Sequence, residues 1–327
     1  YAISQEEMKP VILLLETVAE EAMKILLDTK EFETVLALDE KSLQEAIGNG
    51  NVSAIITRGK GQVRAELMDQ LPQLQIIARC GVGLDNIDVE EATRRKIKVV
   101  NAPNSNANTI AEHTIALMLN LQRKLYSAFT MVKEGRWNDR GTYAGDELNG
   151  KTLGILGMGN IGKKVARIAD ALGMQVCYWS AEKEDVPYPM LSFEEVLKNS
   201  DVLSLHLPLT PQTSNLINAE AIGKMKEGAL LINTARGPII DQKALHEALE
   251  SGKLGGFAAD VLTEEPPSQN EPLISLPNTL ITAHVGSLTK STYTQMCVMT
   301  VNNTLSILKG MEPTKNCIFN QAQLELN

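Results

Sequence analysis

The amino-acid sequence reads as an α/β protein built on two parallel sheets, each covered by helices. Short apolar runs alternate with amphipathic stretches along nearly all of its 327 residues, the pattern that parallel strands joined by crossover helices produce. Near the middle, one apolar run leads directly into Gly157, Gly159 and Gly162, spaced G-x-G-x-x-G, then into a helical pattern and a second apolar run. A chain of this length is ample for two domains.

In chain order, Val11 to Leu15, Val35 to Leu38, Ala54 to Thr57, Gln75 to Arg79 and Lys98 to Asn101 read as strands of a first sheet. The helical patterns between them lie near Ala19 to Leu27, Ser42 to Ile47 and Val89 to Arg94, the last opened by a capping box of Asp88 and Glu91. A long helix from about Thr109 to Val132 follows, with Ile110, Leu117, Leu121 and Leu125 on one stripe, and reads as a connector between domains. The second sheet starts with Thr152 to Leu156. The helix carrying Ile161, Val165, Ile168, Ala169 and Leu172 is stopped by Gly173, and Val176 to Trp179 is the next strand. Val202 to Leu207, Ala229 to Asn233, Gly256 to Val261 and Thr279 to Thr282 continue it, separated by helices near Phe193 to Leu197, Ala219 to Met225 and Gln242 to Ser251. A final helix, Ser291 to Leu308, sets Met296, Val298, Val301, Leu305 and Leu308 on its apolar side and ends at Gly310.

The three glycines have separate physical jobs. The first permits the tight turn, the second lets backbone approach a pyrophosphate, and the third lets helix pack closely on strand. The N-terminus of the following helix adds N–H donors and the positive end of a dipole. In this β-α-β context the motif marks a Rossmann-like dinucleotide unit. Only the second sheet carries it, which makes the first the substrate side. At the end of the second strand, where a carboxylate usually holds the adenosine ribose, stands Ser180. Serine neither repels a 2′-phosphate nor holds the ribose as a carboxylate would, so the cofactor is expected to be NAD or NADP.

Composition excludes several classes. A net charge of −9 with no basic cluster argues against nucleic acid. No apolar run approaches the ~20 residues of a spanning helix, and the amino terminus lacks the charged and apolar regions of a leader, so a cytoplasmic protein off the membrane is expected. Cys80, Cys177, Cys297 and Cys317 are scattered without a C-x-x-C pair, which fits reduced thiols rather than disulfides or a metal site. Cys80 reads as a packing residue.

Ligands in open α/β sheets sit outside the carboxyl ends of the strands, and three such ends are chemically loaded. One strand runs into Thr234, Ala235 and Arg236. The next runs through Asp260 toward Glu264 and Glu265, and the last into His284, Gly286 and Ser287. An arginine, a glutamate and a histidine gathered there suit hydride transfer to a 2-oxo acid: the guanidinium fork takes the carboxylate and carbonyl oxygens, and histidine protonates the carbonyl oxygen. A carboxylate on the far ring nitrogen fixes the tautomer and favours the imidazolium. Of the remaining histidines, His113 reads as packed or hydrogen-bonded within the long helix, His206 as structural in an apolar strand, and His246 as solvated.

Eight segments resemble the D-isomer-specific 2-hydroxyacid dehydrogenases in order and spacing: ARCGVGLDNID from Ala78, NAPNSNANTIAEHTIAL from Asn101, EGRW from Glu134, GMGNIG from Gly157, HLPLTPQT from His206, NTARGPIID from Asn233, AADVLTEEPP from Ala258 and AHVGS from Ala283. The resemblance implies two Rossmann-like, doubly wound parallel-sheet domains. The substrate domain would be discontinuous, residues 1–104 with 288–327, around a dinucleotide domain at 105–287. It implies Arg236, Glu265 and His284 as catalytic residues, with Glu265 preferred to Glu264. Backbone N–H groups of Val82 and Gly83 would hold the substrate carboxylate, with Arg58 a further substrate contact. Gly157, Gly159, Asn160, Ile161, Gly162, Ser180, Leu207, Pro208, Thr213, Thr234, Ala235, Asp260, His284 and Gly286 would line the cofactor; Asn160 stands where many relatives carry arginine. A homodimer through the dinucleotide domain is also implied, with no metal. The expected reaction is NAD(P)H-linked interconversion of a short 2-oxo acid, such as glyoxylate or hydroxypyruvate, and its D-2-hydroxy acid. D-3-phosphoglycerate dehydrogenation is one alternative, although Gly59, Lys60, Gly61 and Gln62 depart from the R-S-x-T-K run of that subgroup. A dinucleotide-sensing interaction protein like the C-terminal-binding corepressors is another.

Overall fold

The computed structural model describes residues 9–326; the amino-terminal stretch searched for a leader lies largely outside them. The described chain falls into two compact units, one formed up to Asn106 and again from Leu288, the other Ala107–Ser287.

In the first unit, β1 (Val11–Leu14), α1 (Glu20–Asp28), β2 (Glu33–Leu36), α2 (Glu40–Gly48), β3 (Val52–Thr57), α3 (Ala65–Asp69), β4 (Ile76–Arg79), α4 (Val89–Arg94) and β5 (Lys98–Val100) alternate. All five strands are parallel, in the order β2-β1-β3-β4-β5. Alternate side chains enter two separate cores, Leu13, Ile55, Ile77 and Val99 on one face and Ile12, Leu14, Ile56 and Ala78 on the other. Burial on both faces is why these strands read as unbroken apolar runs.

The second unit contains α5 (Ala107–Arg123), α6 (Leu125–Lys133), β6 (Thr152–Leu156), α7 (Asn160–Ala171), β7 (Gln175–Trp179), α8 (Phe193–Asn199), β8 (Val202–Leu205), α9 (Ala219–Lys224), β9 (Ala229–Asn233), α10 (Gln242–Glu250), β10 (Leu254–Ala259), α11 (Pro272–Ser275) and β11 (Thr279–Ile281). Its six-stranded parallel sheet has the order β11-β10-β9-β8-β6-β7. The direction of winding reverses between β6 and β8, a topological switch point. The chain then returns to the first unit as α12 (Lys290–Leu308) and α13 (Gln321–Glu325).

Three readings need correction. The helix expected over 109–132 is two helices, broken at Lys124, which has φ +50°. Polar capture explains a break that no glycine or proline announces: Asn120 Oδ1 accepts the Tyr126 N–H at 2.9 Å, and the Tyr143 hydroxyl donates to the Arg123 carbonyl at 2.5 Å. The capping box at Asp88 is half formed. Its carboxylate accepts the Glu91 N–H at 3.0 Å, but Glu91 turns its own carboxylate to Arg94 and Arg95. Strand β2 starts two residues before the expected Val35, because pairing with β1 aligns Val11 with Glu33 and hydrophobicity does not mark that edge.

The C-terminal segment closes the first unit. Ile318 bridges Val100 antiparallel, and the Phe319 N–H donates to the Val99 carbonyl at 2.8 Å. Asn320, 1% exposed, accepts the Val99 N–H and donates to the Ile97 carbonyl and Thr93 hydroxyl, each at 2.9 Å. Replacing Asn320 with alanine orphans buried backbone groups and is expected to cost about 1–3 kcal/mol. The check is amide exchange at Val99 and Ile97 together with the urea midpoint; unchanged values would rule out this anchoring.

Candidate active site

At the switch point of the second unit, Gly157 has φ +97°, and a Cβ there would overlap the His206 carbonyl oxygen. A Cβ on Gly162 would overlap the Gly157 carbonyl oxygen, whereas Gly159 faces open space. The turn therefore leaves a cradle at the N-terminus of α7, whose N-cap residue Gly159 supplies no side-chain cap. First-turn N–H groups of a helix lack intrahelical acceptors, so the residues present fit a bound pyrophosphate. Ile161 is half-buried and Asn160 exposed. Leu207 lies beside Gly157, and Thr213 ties its own loop, donating to the Pro208 carbonyl at 2.6 Å. Ser180 directly follows β7, half-buried. The adjoining concavity, about 900 Å³, is lined by Trp179, Lys183, Tyr188 and Met190 among others and contains none of the Arg, Glu and His candidates.

Those candidates leave the carboxyl ends of β9, β10 and β11. His284 Nδ1 meets Glu265 Oε2 at 2.6 Å, while Glu265 Oε1 accepts the Leu262 N–H at 3.0 Å. It is Glu265, not Glu264, that makes this contact. The Glu265 hydrogen bond raises the His284 pKa above the ordinary 6.5, against opposition from burial and from the Arg236 charge nearby. Burial alone would raise the Glu265 pKa, but the bonds from His284 and Leu262 reverse this and hold it below 4.5. The imidazole contribution to stability is thus full below 6.5 and lost as pH rises through the raised value. The carboxylate contribution is full above 4.5 and lost as pH falls through the lowered value. With side chains 52% and 36% exposed, the pair matters more for protonation than for stability.

Arg236 is half-buried at the end of β9. Asn233, fully buried, shapes the turn before it, donating to the Arg236 carbonyl at 2.9 Å and accepting the Ala235 N–H at 3.0 Å. Thr114 spends its proton on the Ile110 carbonyl, so the Thr234 hydroxyl donates to Thr114 at 2.8 Å.

His284 itself has φ +52°, a left-handed conformation uncommon for a side chain with Cβ and costing about 1 kcal/mol or more. Asp260, 3% exposed, holds the turn in place. Its Oδ1 accepts the Thr282 hydroxyl at 2.6 Å and the Val285 N–H at 2.9 Å, and its Oδ2 accepts the Gly286 N–H at 2.8 Å. Burial pushes the Asp260 pKa up, and bonds from His113, Thr282, Gly286 and Val285 more than offset it, so the carboxylate stays ionised. The resemblance implies a cofactor contact for Asp260, and the residues alone also allow a role in satisfying backbone donors; in the structure its carboxylate takes the Val285 and Gly286 N–H groups. Desolvation lowers the half-buried His206 imidazole to about 4, and its Nε2 pairs with Ser204 Oγ at 2.8 Å.

In the first unit, the N–H groups of Val82 and Gly83 find no acceptor among the described residues, while Gly83 O accepts from Arg79 and Val82 O from Asn101. Arg58 lies over the Tyr293 ring. Glu16, which the sequence did not single out, explains the loop behind Arg58. Its Oε2 accepts the backbone N–H groups of Arg58, Gly59, Lys60 and Gly61 at 2.8–3.0 Å. Burial raises its pKa, but these bonds bring the net value down to about 2. A lone glutamate after a strand gives no such signal in sequence. The four cysteines are free and buried.

Comparison with known proteins places the chain in a family. Residues 115–286 match the family model for the NAD binding domain of D-isomer specific 2-hydroxyacid dehydrogenases. The hydroxypyruvate reductase of Thermotoga maritima is 40% identical over 82% of this chain and 89% of its own length. The D-3-phosphoglycerate dehydrogenase of Archaeoglobus fulgidus is 37% identical over 94% of this chain, which spans 59% of that longer protein. The solved TT0316 protein of Thermus thermophilus superposes with a TM-score of 0.87 at 37% identity, covering 93% of this chain and 98% of its own. The chain belongs to the D-isomer-specific 2-hydroxyacid dehydrogenase family.

The site yields a charge test. Replacing Glu265 with glutamine removes the main cause of the raised His284 pKa, so the imidazole should titrate lower, toward 6.5. An NMR titration of the His284 ring that shows no downward move would contradict this account.

Proposed function

We propose that this chain is an NAD(P)-dependent oxidoreductase interconverting a short 2-oxo acid, of the glyoxylate and hydroxypyruvate class, and its D-2-hydroxy acid. The supporting observation is the 2.6 Å His284–Glu265 pair beside Arg236 at neighbouring strand ends. A nicotinamide dinucleotide held by this unit would supply or take the hydride at the substrate's C2. Gly157, Gly159, Asn160, Ile161, Gly162, Ser180, Leu207, Pro208, Thr213, Thr234, Ala235, Asp260 and Gly286 are assigned to holding that cofactor. Arg236 binds the substrate carboxylate and polarises its carbonyl. His284, kept protonated through Nδ1 by Glu265, delivers the Nε2 proton to the carbonyl oxygen and recovers it in the reverse direction. Val82 and Gly83 are assigned to the substrate carboxylate, and Arg58 to a further substrate contact. With Ser180 in place of a carboxylate, both NAD and NADP are expected to serve.

The test follows loss of NADH and of NADPH absorbance with glyoxylate, hydroxypyruvate and 3-phosphohydroxypyruvate. Turnover of a short 2-oxo acid is expected, and His284→Ala should lower kcat by roughly 10²–10⁴-fold while dinucleotide binding persists. Preference for the phosphorylated acid would favour the reaction named for the Archaeoglobus relative. Binding without turnover on any acid would favour a dinucleotide-sensing role.

Two further readings complete the proposal. A reducing compartment, the cytoplasm, suits four free buried thiols. Self-association is assigned to α6 and the turn after it, where Tyr126, Phe129, Val132 and Trp137 are 62%, 62%, 54% and 65% exposed and none of the helix's apolar residues is buried. Large apolar side chains left exposed together along one segment suit an interface. Wild-type protein should sediment as two chains and the Phe129→Asp, Trp137→Asp variant as one; equal sedimentation would reject this surface.

A further inference from the structure

His113 carries no role in the assignment above; it lies on α5 with its ring under the turn that carries His284. Its Nε2 lies 3.0 Å from Thr282 Oγ1 and 3.5 Å from Asp260 Oδ1, and its Cδ2 borders the space beside Gly286. Hydrogen-bond bookkeeping fixes the direction of the chain. The ionised Asp260 carboxylate can only accept, so the Thr282 hydroxyl spends its one proton on Oδ1 at 2.6 Å. The Thr282 oxygen therefore accepts, and His113 Nε2 carries the hydrogen that it receives. The run His113 to Thr282 to Asp260 ends on the N–H groups of Val285 and Gly286, which follow the left-handed residue His284.

We propose that His113 is a positioning residue for catalysis, donating through Thr282 to orient the Asp260 carboxylate that holds the His284 turn. It touches neither of the assigned reacting groups. Without this donor, the Thr282 hydroxyl can rotate, Asp260 loses its fixed direction, and the turn has less to hold it in a costly conformation. The groups facing His284 in this unit are Glu265, Asp260 and Arg236, and a displaced turn changes the distance to each. This inference rests on the reading of His284 as general acid and base, but its first readout needs no substrate.

The experiment compares His113→Leu, which removes the donor, with His113→Gln, whose amide can donate from the same helix position. In His113→Leu, the NMR titration of His284 is expected to shift downward. Its kcat should fall by about 10-fold to 100-fold. His113→Gln should restore both the titration and most of kcat. Thr282→Val, which removes the hydroxyl but keeps the shape, should behave like His113→Leu and serves if that variant does not fold. An unchanged His284 titration in folded His113→Leu or Thr282→Val would overturn the proposal, as would glutamine failing to rescue. Wild type inactive on every 2-oxo acid, with the titration shift still present, would instead sink the functional reading and leave the positioning intact.

Discussion

Loops at the ends of parallel strands expose backbone N–H groups that no ladder satisfies, and in each unit one buried carboxylate satisfies several of them. Glu16 gathers four consecutive N–H groups behind Arg58, and Asp260 gathers two beside His284. A buried donor without a partner costs about 1–3 kcal/mol, so each carboxylate offsets several such costs while fixing one conformation. A loop held this way is ordered before any ligand arrives. That order allows a residue in a left-handed conformation to keep its aim.

The two carboxylates differ from Glu265 in what they are free to do. Glu16 and Asp260 are 8% and 3% exposed, and their oxygens are committed mostly to backbone. Glu265 gives one oxygen to backbone and the other to an imidazole that reaches solvent. The first two serve as scaffold, whereas the third reports and sets a protonation state. Charge of the same kind is thus divided by burial and partner into separate roles.

Much of this was legible in the chain before any coordinates. Strands buried on both faces, such as β3 and β6, announce themselves as apolar runs. The glycine spacing at 157–162 has only a few physical explanations, and Arg236, Glu265 and His284 stand at strand ends where chemistry is expected. What stayed hidden depends on long-range partners. The break at Lys124 exists because Asn120 and Tyr143 capture backbone groups there, and the apolar stripe runs through it unaltered. His113 reads as packed or hydrogen-bonded, but its partner Thr282 lies 169 residues away and could not be named. Glu16 and the loop it binds are separated by more than 40 residues.

The C-terminal segment and α12 give the first unit an unusual history. Cys297, Val301 and Leu305 share a core with Ile12, Leu14 and Ile56, yet they are made only after the whole second unit. The second unit is continuous in the chain, so it can fold while synthesis is still under way. The first sheet has to wait half-covered, its apolar face available to chaperones or to aggregation, until α12 emerges to cover it.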